Sequence, residues 1–288
     1  MSEPIYMVTG ASGQLGRLVL THLRRRVPEK QILGLVRREE DAEALRVQGF
    51  GARLADYTDR DGLNDALYGV DRLLLVSGSA IGQRVGQHRN VIEAAKGAGV
   101  GFIAYTSLLD AQDSPMMLAE EHKATEDMID DSGLDYVLLR NGWYSENILA
   151  SLQADLKLGK HFGAAGEGRF STAPRNDYAE AAAIVLAAGG PAGKIYELAG
   201  DTAFTLGEFA AMLSRISGKT VDYVNADEIA FKAALVHAGL PEAFAAVLAN
   251  SDANAAEGTL YSASKDLSGL LGRPTEPMEE TIRKALEE

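Results

Sequence analysis

The chain has 288 residues, enough for one large domain or for a domain with a smaller lobe. Its 46% apolar and 24% charged residues suit a globular fold, and no apolar run is long enough to span a bilayer. A net charge of −13 disfavours nucleic acid and anionic membranes as partners, and the lack of cysteine excludes disulfides, thiolate nucleophiles and cysteine metal sites.

The first predicted element is a strand at Ile5–Thr9, reached without a basic or long apolar leader, so the expected location is cytoplasmic. The strand runs into Gly10-Ala11-Ser12-Gly13-Gln14-Leu15-Gly16, three glycines spaced G-x-x-G-x-x-G, and then into a helical apolar pattern at Leu15, Leu18, Val19 and Leu23. Gly10 allows a sharp turn, Gly13 lets backbone N–H groups approach a pyrophosphate, and Gly16 lets the helix pack close to the strand. The helix N-terminus then faces the phosphates. This pattern predicts a dinucleotide site whose first contacts are Gly10, Ala11, Ser12, Gly13, Gln14 and Leu15.

Further strands are predicted at Gln31–Val36, Ala52–Ala55, Arg72–Val76, Phe102–Thr106 and Tyr136–Leu139, with helices of about 10 to 15 residues between most of them. That alternation predicts an α/β fold, a Rossmann-type doubly wound parallel sheet. The second strand ends in Arg37-Arg38, where a site preferring NAD usually has a carboxylate. A guanidinium there can pair with a 2′-phosphate, so the expected cofactor is NADPH; the alternative is a solvated pair neutralised by Glu39 and Glu40. Asp56 ends the third strand and is read as an adenine contact or as a turn residue. Ser77-Gly78-Ser79 follow the fourth strand, where small residues leave room for the cofactor. The helix over Gln87–Gly97 is expected to stop at Gly97 or Gly99.

Beyond Gly142 the pattern changes. Residues 159–175 read as a loop-rich segment, with Arg175 either reaching a phosphate or solvated. Asp177–Ala188 reads as a helix capped by Asn176 or Asp177, Lys194–Ala199 as a strand, and Thr205-Leu206-Gly207-Glu208 as a capping box. Residues 225–250 read as helical, broken at Gly239-Leu240-Pro241. The expected division is a dinucleotide domain over 1–141, with 177–200 returning to it, and a smaller α/β C-terminal lobe over 142–176 and 201–288 that forms the substrate cleft. No two histidines stand at metal-ligand spacing with a carboxylate, so no metal is expected. No separate flavin signal is present either.

The N-terminal motif, Asn90-Val91-Ile92-Glu93-Ala94-Ala95 and Ile103-Ala104-Tyr105-Thr106-Ser107 together resemble the atypical short-chain dehydrogenases. Ordinary members carry Tyr-x-x-x-Lys on the helix after the fifth strand. Here Leu118 and His122 stand at those positions, while Tyr261-Ser262-Ala263-Ser264-Lys265 lies too far along the chain and is taken as coincidence. The tyrosine-less pattern resembles the NmrA-like branch. Gly86-Gln87-His88-Arg89-Asn90, Glu121-His122 with Thr125-Glu126, and Arg140-Asn141-Gly142-Trp143-Tyr144-Ser145-Glu146-Asn147 resemble, more closely, the bacterial type-2 NAD(P)H:quinone oxidoreductases. The likeness runs from Ile5 to Gly272. It implies an NADPH-binding fold with a small C-terminal lobe walling the active-site cleft.

The resemblance places Asn141, Gly142, Trp143 and Tyr144 beside the nicotinamide and the acceptor, with Asn147 in the acceptor site. Asn141 can bond a carboxamide or an acceptor oxygen; Trp143 and Tyr144 can stack on a flat ring or fill a core. His122 is a candidate oxyanion donor or a helix-surface residue. Ketone reduction develops a basic alkoxide and needs a general acid, whereas a reduced quinone is a delocalised anion and a reduced cationic dye is neutral. The missing tyrosine therefore fits planar acceptors. The expected function is NADPH-dependent quinone reduction by direct hydride transfer, with dye reduction or NADP(H)-sensing without turnover as alternatives. A monomer and a homodimer are both compatible with this sequence.

Overall fold

The computed structural model describes residues 3–287. In chain order the protein forms β1 (Tyr6–Val8), α1 (Gln14–Leu23), β2 (Ile32–Val36), α2 (Glu39–Val47), β3 (Gly51–Leu54), α3 (Arg60–Leu67), β4 (Arg72–Leu75), α4 (Arg84–Ala98), β5 (Phe102–Leu108), α5 (Met117–Asp130) and β6 (Asp135–Asn141). It continues through α6 (Ser145–Ile148), α7 (Leu152–Leu158), β7 (Lys160–Gly163), β8 (Arg169–Phe170), α8 (Arg175–Ala188), β9 (Lys194–Leu198) and β10 (Phe204–Thr205). Last come α9 (Leu206–Ser217), β11 (Asp222–Asn225), α10 (Glu228–His237), α11 (Glu242–Ala255), α12 (Asp266–Leu271) and α13 (Met278–Glu287).

Seven strands form one sheet in the order β3-β2-β1-β4-β5-β6-β9, and β1 to β6 pair in parallel. The expected doubly wound sheet is present. Its central strands are apolar on both faces, as a sheet covered by helices requires: Met7, Val8, Leu73, Leu74 and Leu75 are fully buried. Strand order reverses between β1 and β4, and in such sheets ligands bind where the carboxyl ends part. Of the two glycines able to end α4, Gly99 does so, at φ 75°.

The chain divides into two compact units: residues 1–108, 121–141 and 175–196 in the first, and 109–120, 142–174 and 197–288 in the second. Two boundaries differ from the sequence reading. Residues 109–120 belong to the second unit, where Asp110 N–H donates to Glu197 Oε2 (3.0 Å) and Met117 N–H to Asn250 Oδ1 (2.9 Å). The returning segment runs 175–196 rather than 177–200.

Within the second unit, β7 pairs with β11 in parallel and β8 with β10 antiparallel. Residues 159–175, expected as loop, thus hold two short strands whose partners lie far along the chain. Thr205 and Glu208 form the expected capping box at the start of α9. The helical break falls at 238–241, between α10 and α11. Among the described residues no helix is long and apolar enough to cross a membrane.

Candidate nucleotide-binding site

Gly10 has φ 58°, a left-handed conformation in which a side chain would be strained. A Cβ on Gly16 would lie 2.3 Å from the Gly10 carbonyl oxygen and 2.9 Å from Ala11 Cα, so only glycine lets α1 start this close to the turn. α1 begins after Gly13 with no side-chain cap and no acidic residue in its first turn. Its leading N–H groups therefore have no side-chain acceptor and keep their affinity for an anion.

The turn forms one side of a cavity of about 570 Å³ within the first unit, a volume typical of small-molecule sites. Gly10, Ser12, Gly13, Gln14 and Leu15 line it, with Arg37 and Asp56 at the ends of β2 and β3, Ser77, Gly78 and Ser79 after β4, and Arg175 at the start of α8. These predicted residues come from five separate stretches of chain. Ala11 is the exception in the turn. It is fully buried, and a Cβ on Gly34 would lie 2.8 Å from Ala11 Cβ, so its side chain packs on β2 instead of facing the cavity.

The two arginines after β2 separate. Arg38 donates from Nε to Asp41 Oδ2 (2.8 Å) and from Nη2 to Asp41 Oδ1 (3.1 Å), and also pairs with Glu40. Glu39 pairs with Arg46. Arg37 makes no ion pair among the described residues and lines the cavity, so neutralisation by Glu39 and Glu40 does not apply to it. The Asp56 carboxylate is held below its ordinary pKa by hydrogen bonds from Thr58 and, more weakly, by Arg37. Its Oδ1 accepts from Thr58 N–H (2.8 Å) and Oγ1 (2.6 Å), the bonds of a turn residue.

Sequence reasoning missed Tyr57, Ala80 and Gln87, which also line the cavity. Tyr57 follows Asp56, and its carbonyl accepts from Asn90 Nδ2 (2.8 Å) on α4; burial pushes its hydroxyl up to about 12. Gln87 stands in the family-like run Gly86–Asn90, the one signal that pointed to it. Arg175 is the first residue of α8 and not part of a loop, so neither expected cap is one. Asn176 bonds His22 Nε2 (2.9 Å), and Asp177 is buried inside the helix.

Other predicted site residues lie off this cavity. His122 is buried, with Nδ1 2.8 Å from the Tyr105 hydroxyl, and burial with the charge of Arg84 holds its pKa well below the ordinary value. It is a neutral imidazole at physiological pH and not a cationic acid. Asn141 ends β6 and is buried; just before it, Arg140 makes a doubly bonded pair with Glu126 (2.9 and 2.7 Å) that Ser107 completes at 2.5 Å. Gly142, Trp143, Tyr144 and Asn147 belong to the second unit, where Trp143 is buried and Tyr144 bridges to Ala173. There too Lys265 is tied to Asp201 (3.0 Å), far in sequence from the dehydrogenase position its motif imitates. Among the described residues no cluster of His, Asp and Glu could hold a metal.

A family model described as NAD(P)H-binding matches residues 10–188. The chain is 54% identical over 275 residues, 96% of each chain, to quinone oxidoreductase 2 of Escherichia coli (strain K12). The crystal structure of the NADPH-dependent quinone oxidoreductase of Escherichia coli complexed with NADPH superposes with a TM-score of 0.96 at 52% identity, covering 98% of this chain and 100% of that one. The triphenylmethane reductase of Citrobacter sp. complexed with NADP(H) follows at a TM-score of 0.93 and 38% identity, covering 97% and 99%. The chain thus belongs to the NAD(P)H-binding family and, within it, to the family of the Escherichia coli quinone oxidoreductase.

Proposed function

We propose that the protein is an NADPH-dependent reductase that passes a hydride directly to a quinone, without a flavin intermediary, in the cytoplasm. The observation that carries the cofactor choice is Arg37: it faces the cavity at the end of β2, free of the acidic residues that follow it, where a 2′-phosphate is distinguished from a 2′-hydroxyl. The glycine turn supports the rest of the assignment, since a side chain at Gly16 would collide with the turn backbone. When bound, the dihydronicotinamide supplies the hydride.

The residues divide the work as follows. The uncapped start of α1 and the backbone at Gly13 hold the pyrophosphate; Arg37, with Ser12, holds the 2′-phosphate; Asp56 reads the adenine; Ser77, Gly78 and Ser79 leave room along the sheet edge. Arg175 adds a second positive charge for phosphate. Asn141 orients the nicotinamide, Gly142 is assigned to the cofactor, and Trp143, Tyr144 and Asn147 are assigned to the acceptor. No strong proton donor is needed for an acceptor whose reduced form is a delocalised anion. Purified protein tested with NADPH and NADH against a panel of quinones and cationic dyes decides this reading. Faster oxidation of NADPH with quinones supports it. Turnover of dyes alone would move the acceptor assignment to dyes.

A further inference from the structure

The loop Ser77-Gly78-Ser79 borders the cavity yet contains no side chain large enough to hold its own shape. Two side chains of α4, one turn apart and hence on one face, grip it from behind. Gly78 N–H points at His88 Nε2 (3.0 Å), and the Gly78 carbonyl accepts from Arg84 Nε (2.7 Å). Both residues are buried, His88 completely.

The hydrogen bonds behind His88 fix its tautomer. Thr125 Oγ1 donates its single proton to the Glu121 carbonyl (2.8 Å), so toward His88 Nδ1, 3.0 Å away, it can only accept. Nδ1 therefore carries the hydrogen, and Nε2 presents a lone pair to Gly78 N–H. The same Glu121 accepts from Gly82 N–H and Arg84 N–H (3.1 and 3.2 Å) and pairs with Arg84 Nη1 (3.2 Å), so the end of this loop and the start of α4 are tied to α5. The opposite tautomer would set N–H against N–H at Gly78. A protonated ring would do the same, and burial drives His88 away from that form, its pKa falling to about 3.

We propose that His88, locked as the Nδ1–H tautomer by Thr125, is a positioning residue of the dinucleotide site: it holds the Ser77–Ser79 wall in the shape that admits the cofactor. This rests on the cavity being the NADPH site. Gly78 is half-buried, and a backbone N–H turned toward a buried ring without an acceptor is costly, so removing Nε2 lets the loop move to find another partner, and the cavity wall moves with it. The role concerns affinity and not chemistry, since His88 touches no reacting atom.

The test compares wild type, His88→Leu and His88→Gln by calorimetric titration with NADPH, together with melting temperatures. Glutamine can return an acceptor to Gly78; leucine cannot. His88→Leu should weaken NADPH binding roughly tenfold to a hundredfold, and His88→Gln should recover most of the loss even if its melting temperature stays low. Nitrogen NMR of wild type should show a pyridine-like Nε2 and a protonated Nδ1. Should His88→Leu fail to fold, Thr125→Val removes the Nδ1–H acceptor instead and should weaken binding while speeding exchange of the Gly78 amide. NADPH affinity unchanged in His88→Leu or Thr125→Val, equal losses in the leucine and glutamine variants, or an Nε2–H signal would overturn the proposal. Wild-type protein that does not bind NADPH would instead overturn the cavity assignment on which it rests.

Discussion

Arg37 and Arg38 are neighbours in sequence with opposite fates: Arg38 is clamped by Asp41 at 2.8 and 3.1 Å, and Arg37 lines the cavity without an ion pair among the described residues. The clamp on Arg38 absorbs the carboxylate that could have neutralised Arg37. Asp41 itself is held below its ordinary pKa by the hydrogen bond from Arg38. The acidic start of α2 therefore leaves the positive charge at the end of β2 in place.

Cofactor selectivity should follow this division. Arg37→Ala should lower affinity for NADPH by about 1.5–3 kcal/mol, the range for a hydrogen bond to a charged group, and leave NADH almost unaffected. Arg38→Ala should leave the ratio between the two cofactors unchanged. Calorimetric titration of both variants with both cofactors gives the four numbers needed. Equal losses for NADPH and NADH in Arg37→Ala would show that this arginine does not read the phosphate.

The two later glycines of the turn should fail in different ways. Gly16→Ala places a methyl 2.3 Å from a backbone oxygen, so it should cost at least about 1–3 kcal/mol of stability as α1 shifts. Gly13 lies at φ −77°, and a Cβ there meets only the Gly10 carbonyl at 3.2 Å. Gly13→Val should fold cooperatively and lose NADPH binding, because its side chain fills the approach to the helix N-terminus. Urea unfolding and NADPH titration of each variant separate the two effects.

Stability should also depend on pH through Asp252 in the second unit. Burial raises its carboxyl to about 6, against the ordinary carboxylate value near 4 in the unfolded chain. Between those values the folded state binds more protons, so this group favours folding most below about pH 4, and that contribution is lost as pH rises to about 6. The loss is on the order of 3 kcal/mol. Asp252→Asn, which resembles the protonated form, should flatten unfolding free energy against pH across that window. A slope identical to wild type would assign the dependence to other groups.

Much of the first unit was legible because its signals are local. Each of the six strands predicted before Gly142 overlaps an observed one, since each is a short apolar run closed by a glycine or polar turn, and the G-x-x-G-x-x-G spacing marks the turn on its own. What sequence could not show was which way a side chain faces. Ala11 sits inside the glycine motif yet turns into β2, and Tyr57, one residue past Asp56, turns into the cavity. The strands at Lys160–Gly163 and Arg169–Phe170 were unreadable because their partners lie far along the chain, Asp222 opposite Lys160 (62 residues on) and Phe204 opposite Phe170 (34 residues on). Residues 109–120 group with the second unit through likewise distant partners, their hydrogen bonds reaching Glu197 and Asn250.

The acceptor side should show a split in kinetic constants. Asn141→Ala should lower kcat with 1,4-benzoquinone by about 10²-fold, the scale of a misplacement of ~1 Å, with a smaller effect on NADPH affinity. Trp143→Ala should mainly raise KM for the quinone, because stacking acts in the ground state and the transition state alike. Stopped-flow measurement of NADPH absorbance yields both constants. The reverse pattern, a change in NADPH affinity alone for both variants, would remove these residues from the acceptor side.

The most direct test of the central claim is a single turnover of purified protein, with no flavin added, using NADPH that carries deuterium at the hydride-donating carbon and 1,4-benzoquinone as acceptor. Direct hydride transfer predicts rapid NADPH oxidation that slows with the deuterated cofactor and proceeds without any flavin absorbance change. Protein that binds NADPH tightly yet oxidises none with this or any other quinone or dye would contradict it, and would make the chain a sensor of NADP(H) instead of a reductase.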